Sequence, residues 1–301
     1  MKRTPLCAII ACAIVSTTQA DPILDGLRDP SYGAARAVQL VQTGFGDNMS
    51  ELDAGYATVQ NNTLYLMLTG NLESNFNKLN IFIDSQAGGQ NVLQPDANNG
   101  GNNPENDNWA GKHAGMTFDS GFAADYMLIL RNGFAPGARF DIDYAVVGGG
   151  LGNFQAAGDV FAGSLVGSNA AALPNGIGVA FDNSNVAGIM GGTGPADPTA
   201  AQAVTTGIEL AIPLAAIGNP MGEFKISAMV NGSNHDFLSN QFLAGLPAGT
   251  GNLGGDGAGG FTGSLSQIDL NQFAGDQYFT VIPEPASLTL LGLLLVLRRR
   301  A

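Results

Sequence analysis

Cysteine is almost missing from this 301-residue chain: there are two, Cys7 and Cys12, both within the first twelve residues. Everything downstream lacks a thiol, which excludes disulfide staples, cysteine metal centres and thiol catalysis from the body of the protein. Histidine is equally scarce. With only His113 and His235 and no HExxH, a zinc centre is short of ligands. No serine sits in a Gly-x-Ser-x-Gly elbow, so the hydrolase nucleophile signature is absent too. Basic residues number 12 against 25 acidic ones, a net charge of −13. That balance repels nucleic acid and anionic lipid and attracts divalent cations, so nucleic-acid binding is set aside.

What the chain does have is glycine: 43 residues, with abundant Asn, Ala and Ser and little Lys or Glu, a composition unsuited to a helical protein. Short β-rich segments recur along it. They are 37–42, 54–60, 63–69 (TLYLMLT), 78–84 (KLNIFID), 125–131, 139–147, 207–212, 223–231 and 278–282. Asn61-Asn62 between two of them is a tight-turn signal for a hairpin. Three loops separate the rest: polar 85–111, Gly- and Ala-rich 148–206 with a few weak strands, and 245–263. Gly148-Gly149-Gly150-Leu151-Gly152 lacks the helix and acidic partner of a dinucleotide site and reads as turn. Many short strands without periodic helices or heptads predict an all-β fold, an antiparallel sandwich with long Gly/Asn-rich loops, over residues 21–280.

The two ends are of another kind. Lys2 and Arg3 precede an apolar stretch from Leu6 to Val15 and a small-x-small site, Thr18-Gln19-Ala20. This is a signal peptide over residues 1–20, cut by signal peptidase between Ala20 and Asp21. A lipoprotein leader ending at Cys12 is the competing reading. At the other end, Ala286 to Leu297 is twelve residues without a charge, ending at Arg298, Arg299 and Arg300. As a helix it would cover about 18 Å, well short of a hydrocarbon core of about 30 Å. The arginines favour a cytoplasmic end, and Pro283 and Pro285 keep the preceding chain extended. The whole is a marginal, oriented stop with an accessible hinge. Without leader and tail, 7 basic and 24 acidic residues leave a net charge of about −17.

Pro283, Glu284, Pro285, the leucine run and Arg298 to Arg300 resemble the PEP-CTERM sorting signal. The resemblance implies transient inner-membrane anchoring over residues 281–301, followed by cleavage by an exosortase. Delivery would be to the periplasm, cell surface or exopolysaccharide matrix of a Gram-negative bacterium. A tail anchor that is never cut is the alternative. The exported domain has a resemblance of its own. Asp25-Gly26, Asp29-Pro30 and Tyr32, then Leu64 to Leu66, Ile81 to Asp84, 209–218 (ELAIPLAAIG) and 228–232 (AMVNG) are similar to family 9 carbohydrate-binding modules and DOMON domains. That implies a jelly-roll-like sandwich that either binds sugar or serves as a module.

Three constellations bear on chemistry. Trp109, with Asn106, Asp107 and Asn108, would form one wall of a glycan site, and Tyr32 or Tyr126 the opposing ring. Alternatively, Trp109 plugs its loop against the sandwich edge. The loop from Asp84 to Asp107 gathers oxygen ligands suited to calcium, with Asp84, Asn91, Asp96 and Asp107 leading. It is not an EF-hand, because Pro95 stands where the bidentate Glu belongs. Asp47, Glu51 and Asp53 form a second acidic group, read as turn chemistry or an edge-bound ion. Asp141 and Asp143 share one strand face, expected to look into water; as a carboxylate pair they are the one handle for a polysaccharide hydrolase. No catalytic residue is assigned, and the chain reads as non-enzymatic.

Overall fold

The computed structural model describes residues 20–95, 108–134, 138–148, 154–162, 171–172 and 175–283. Among these, two sheets with antiparallel strand pairing stack face to face. The first contains β1 (Ala37–Val38), β2 (Glu51–Gln60), β3 (Thr63–Asn71), β8 (Ala171–Ala172), β9 (Gly178–Phe181) and β10 (Gly207–Pro213), in the spatial order β1-β2-β3-β10-β9-β8. The second contains β4 (Lys78–Asp84), β5 (Tyr126–Phe134), β6 (Ala138–Val146), β7 (Phe154–Ala162), β11 (Phe224–Asn231) and β12 (Leu238–Leu243), ordered β12-β11-β4-β5-β6-β7. A last strand, β13 (Phe279–Val281), adds to the start of β11. The expected all-β sandwich is present.

Alternation explains which side chains meet. In β3, Leu64, Leu66 and Leu68 point to the space between the sheets, where Leu79, Ile81 and Ile83 of β4 and Ile208, Leu210 and Ile212 of β10 join them. Met67 points the other way and packs with Tyr32, Ala54 and Tyr56 on the outer face of the first sheet. The Asn61-Asn62 turn is as expected, both residues taking the left-handed conformation (φ 49° and 59°) that a two-residue hairpin of this kind requires. One position in β3 needs glycine. The β2–β3 register shifts between Leu52 and Ala54, and opposite the shift Gly70 has φ +134°, with the Glu51 carbonyl where a Cβ would lie.

The second sheet is buried on both faces. Its outer side carries Phe82, Met127, Ile129 and Met229, roofed by Trp109, Phe118, Phe122, Leu253 and Leu265 from the loops. The short helix α1 (Trp109–His113) completes this cover, while α2 (Pro198–Ala203), capped by the Asp197 carboxylate on the amides of Thr199 and Ala200, packs against β1 and β2 of the first sheet.

Some elements differ from the expectations. The first strand ends at Val38; beyond it, Val41 and Thr43 make only single bridges, to Pro195 and Gly191. The stretch 148–206 holds β7, β8, β9 and α2. β12 was not anticipated, because Ser239-Asn240-Gln241 breaks the apolar pattern. Those side chains are nevertheless buried and bonded: Ser239 Oγ donates to the Val230 carbonyl at 3.0 Å, and Asn240 Nδ2 to Gln42 O at 2.8 Å and Thr250 O at 2.9 Å. The leader and the 286–297 apolar helix lie outside the described residues, among which no helix is long and apolar enough to cross a membrane.

Candidate functional site

A polar feature lies at one end of the second sheet, where β4 stops at Asp84 opposite Lys225 of β11. The chain turns away there because the Asp125 carboxylate accepts the amides of Ser85 and Gln86, each at 2.8 Å. Two depressions meet at Asp84. One, of about 450 Å³, is walled by Asn91, Ser120, Gly121, Phe122 and Asn271. The other, of about 280 Å³, is walled by Gln86, Glu223, Phe224 and Lys225. Together they form a polar groove.

Charge in the groove is arranged by backbone bonds. Asp84 Oδ2 accepts the Ala123 amide at 3.1 Å. Burial pushes the Asp84 carboxyl upward and nearby Asp125 adds to this, while the Ala123 bond and the Lys225 ammonium oppose it. Lys225 Nζ donates to the Gly121 carbonyl and lies 5.2 Å from the centre of the Tyr278 ring. Burial, then the charge and hydrogen bond of Asp276, raise the Tyr278 hydroxyl above its ordinary value. The groove thus offers carboxylates, amides, one ammonium and the rings of Phe122 and Phe224, with Tyr278 beside it under Lys225. Such walls suit a polyhydroxyl ligand or a hydrated cation. Among its described lining residues no side-chain nucleophile sits on a base.

The expected calcium ligands divide. Asp84 and Asn91 both line this groove. Asn91, however, uses its amide as a staple, donating to the carbonyls of Phe118 (3.2 Å), Asp119 (3.0 Å) and Phe122 (2.8 Å). Asp96 and Asp107 lie outside the described residues. Among the described residues no three His, Cys, Asp or Glu side chains come together as a metal group.

The expected glycan platform is corrected. Its three rings belong to three separate apolar clusters. Trp109 is 8% exposed and serves as the plug, its ring edge-on to His113 at 6.3 Å. Tyr32 is buried on the outer face of the first sheet. Tyr126 stacks on Tyr144 between the sheets at 6.1 Å, and only its hydroxyl reaches out, bonding Gln86 Oε1 at 3.1 Å. Apolar rings of this size gain more from burial than from waiting for a ligand.

The candidate hydrolytic pair is also corrected. Asp141 and Asp143 do not face water: both are buried and ion-paired to Arg131, Asp141 Oδ2 with Nε at 3.0 Å and Asp143 Oδ2 with Nη1 at 2.6 Å. Both histidines are buried, their rings 5.7 Å apart, and His113 Nε2 lies 3.3 Å from Asn80 Oδ1.

Three carboxylates are buried on the outer face of the first sheet, of which sequence reasoning missed Glu209. Glu209 accepts the Tyr32 hydroxyl at 2.8 Å and the amides of Asp25 and Gly26 at 2.9 and 3.0 Å. It thereby joins the Asp25-Gly26 and Tyr32 motif to strand β10. A lone Glu opening an otherwise apolar strand was the available signal. Glu51 accepts the Asn48 amide at 2.9 Å, and Asp53 Oδ1 accepts the Ile189 amide at 2.9 Å. Glu51 thus does serve the turn before β2, and both carboxylates also lie under loop 183–190. Burial lifts Glu51 to about 7, further raised by Asp47 and lowered by the Asn48 bond. Burial and then Glu51 lift Asp53 to about 8.

The chain ends also find places. The Asp21 carboxylate accepts Asn61 Nδ2 at 2.9 Å through both oxygens, next to exposed Ala20. Pro283, half-buried, is two residues beyond β13, while Glu284, Pro285 and Arg298 to Arg300 lie outside the described residues. Comparison of the chain with protein-family models, curated proteins and solved structures finds no match.

Proposed function

We propose that this is an exported, non-catalytic β-sandwich protein of the cell surface or exopolysaccharide matrix, of the carbohydrate-binding-module-like, jelly-roll type. Signal peptidase frees Asp21; the C-terminal tail then holds the domain at the inner membrane until an exosortase cuts near Pro283-Glu284-Pro285. The observation carrying this reading is the tail itself: a Pro-Glu-Pro triplet, a twelve-residue apolar run and three arginines, two residues past the last strand of a folded domain. Two further facts agree with it. The acidic domain has little affinity of its own for an anionic bilayer, and its histidines and its Asp141–Asp143 pair are committed to the interior. Expression with and without an exosortase, followed by mass measurement, tests it. The producing strain should yield a chain lacking Arg298 to Arg300; an intact tail there overturns the reading.

A second reading, a module that binds an exopolysaccharide, is favoured by the groove at Asp84. Affinity electrophoresis against a panel of polysaccharides should show retardation that Tyr278→Ala abolishes and Trp109→Ala leaves in proportion to the folded fraction. No retardation on any glycan leaves the structural role alone.

A further inference from the structure

Resting on that reading of the tail, we propose that the end of the sandwich bearing Met221, Ile282 and the Asp84 groove faces the membrane surface until the tail is cut. The placement follows from strand register. Val281 pairs with Phe224 and Lys225 with Asp84, so the C-terminal exit and the groove share one end of the second sheet. The Leu214–Ile217 turn lies there too, because Ser85 Oγ donates to the Ile217 carbonyl at 2.8 Å. The β2–β3 turn is beside it, with the Leu214 amide on the Asn62 carbonyl at 2.8 Å. That turn holds Asp21, the first residue after the leader, through Asn61. Both chain termini and the groove are therefore at one pole of the molecule.

Tether length does the rest. From Val281 to Ala286 there are five Cα steps, at most about 18 Å when fully extended. The headgroup layer itself takes about 5–8 Å of that. However the linker runs, the pole it leaves from is held within about 10–13 Å of the lipid headgroups. β11 has eight residues and so carries the opposite pole, marked by Ser233, about 27 Å further away.

The near pole has apolar points suited to a lipid surface: Met221 is 97% exposed and Ile282 58%. Around them Glu223, Asp84 and Asp21 oppose lasting adhesion to anionic lipid. The groove then faces the bilayer across at most that gap while the tail is intact, so access for a large ligand widens on cleavage.

The absence of cysteine after residue 12 makes the test clean. The full chain with Cys7→Ser and Cys12→Ser is given a single new cysteine, Met221→Cys or Ser233→Cys. It is exported so that the leader is removed, then reconstituted into phosphatidylethanolamine–phosphatidylglycerol vesicles. A fluorophore on the cysteine is read against a headgroup-borne quencher. Quenching should be severalfold stronger at 221 than at 233, and a chain ending at Pro283 should neither float with vesicles nor be quenched. Equal quenching at the two positions in floating protein, or stronger quenching at 233, overturns the proposal. Failure of the full chain to float overturns the tail reading instead.

Discussion

At the residue scale the first sheet's outer face is an electrostatic strain point. Glu51 and Glu209 sit near 7 and Asp53 near 8, each chiefly because burial disfavours the charged form. Unfolded, the same groups titrate near 4. Between those values the native state holds more protons than the unfolded chain, so stability falls as pH rises. The penalty is absent below about pH 4 and complete above about pH 8. Melting measured from pH 5 to pH 8.5 should therefore show Tm declining, and Asp53→Asn should flatten the decline. Glu209 is a separate case, because its charge is used. Removing it leaves the Tyr32 hydroxyl and two amides without their acceptor. Glu209→Ala should lower unfolding free energy by about 2–4 kcal/mol in urea titration, and Glu209→Gln by less.

At the scale of elements, the bends and pairings identify where substitutions bite. Gly70 lies opposite the β2 register shift with a backbone carbonyl at its Cβ position. Gly70→Ala should cost more than the ~1 kcal/mol of an ordinary Gly replacement, read as a lower urea midpoint. Arg131 ties β5 to β6 through two buried carboxylates. Arg131→Met takes the buried ion-pair partner from both and should cost about 3–5 kcal/mol by the same titration.

Strands facing the inter-sheet core were readable because alternation reports one buried face; 78–84 matches β4 residue for residue. β12 was not readable, since its polar run is buried by hydrogen bonds that only folding brings together. The site was legible in part for the same reason. Asp84 was marked by its place at a strand end. Lys225, Asn271 and Tyr278 come from segments far apart in the chain, and no local pattern announces them. The aromatics misled because a ring that binds sugar and a ring that plugs a core look alike in sequence.

At the scale of the whole molecule, stability must come without disulfides, and a cation is the remaining outside help. If the loop from Asp84 to Asp107 takes calcium with extracellular affinity, 10 mM should add about 1.4–2.7 kcal/mol over EDTA. That corresponds to a Tm rise of roughly 3–10 °C for a domain this size. An unmoved Tm removes calcium from the account.

Among the described residues β13 is the last strand and the only one that covers the start of β11 on the side away from β4. A polypeptide made N-terminus first delivers β11 some fifty residues before β13. Until the last piece emerges, Phe224 to Ile226 offer an open backbone edge to any passing chain. Folding is thereby clocked: the domain cannot seal until residues 279–281 have been made. A chain truncated before Phe279 would be a sticky, protease-sensitive fragment and not a smaller version of the protein.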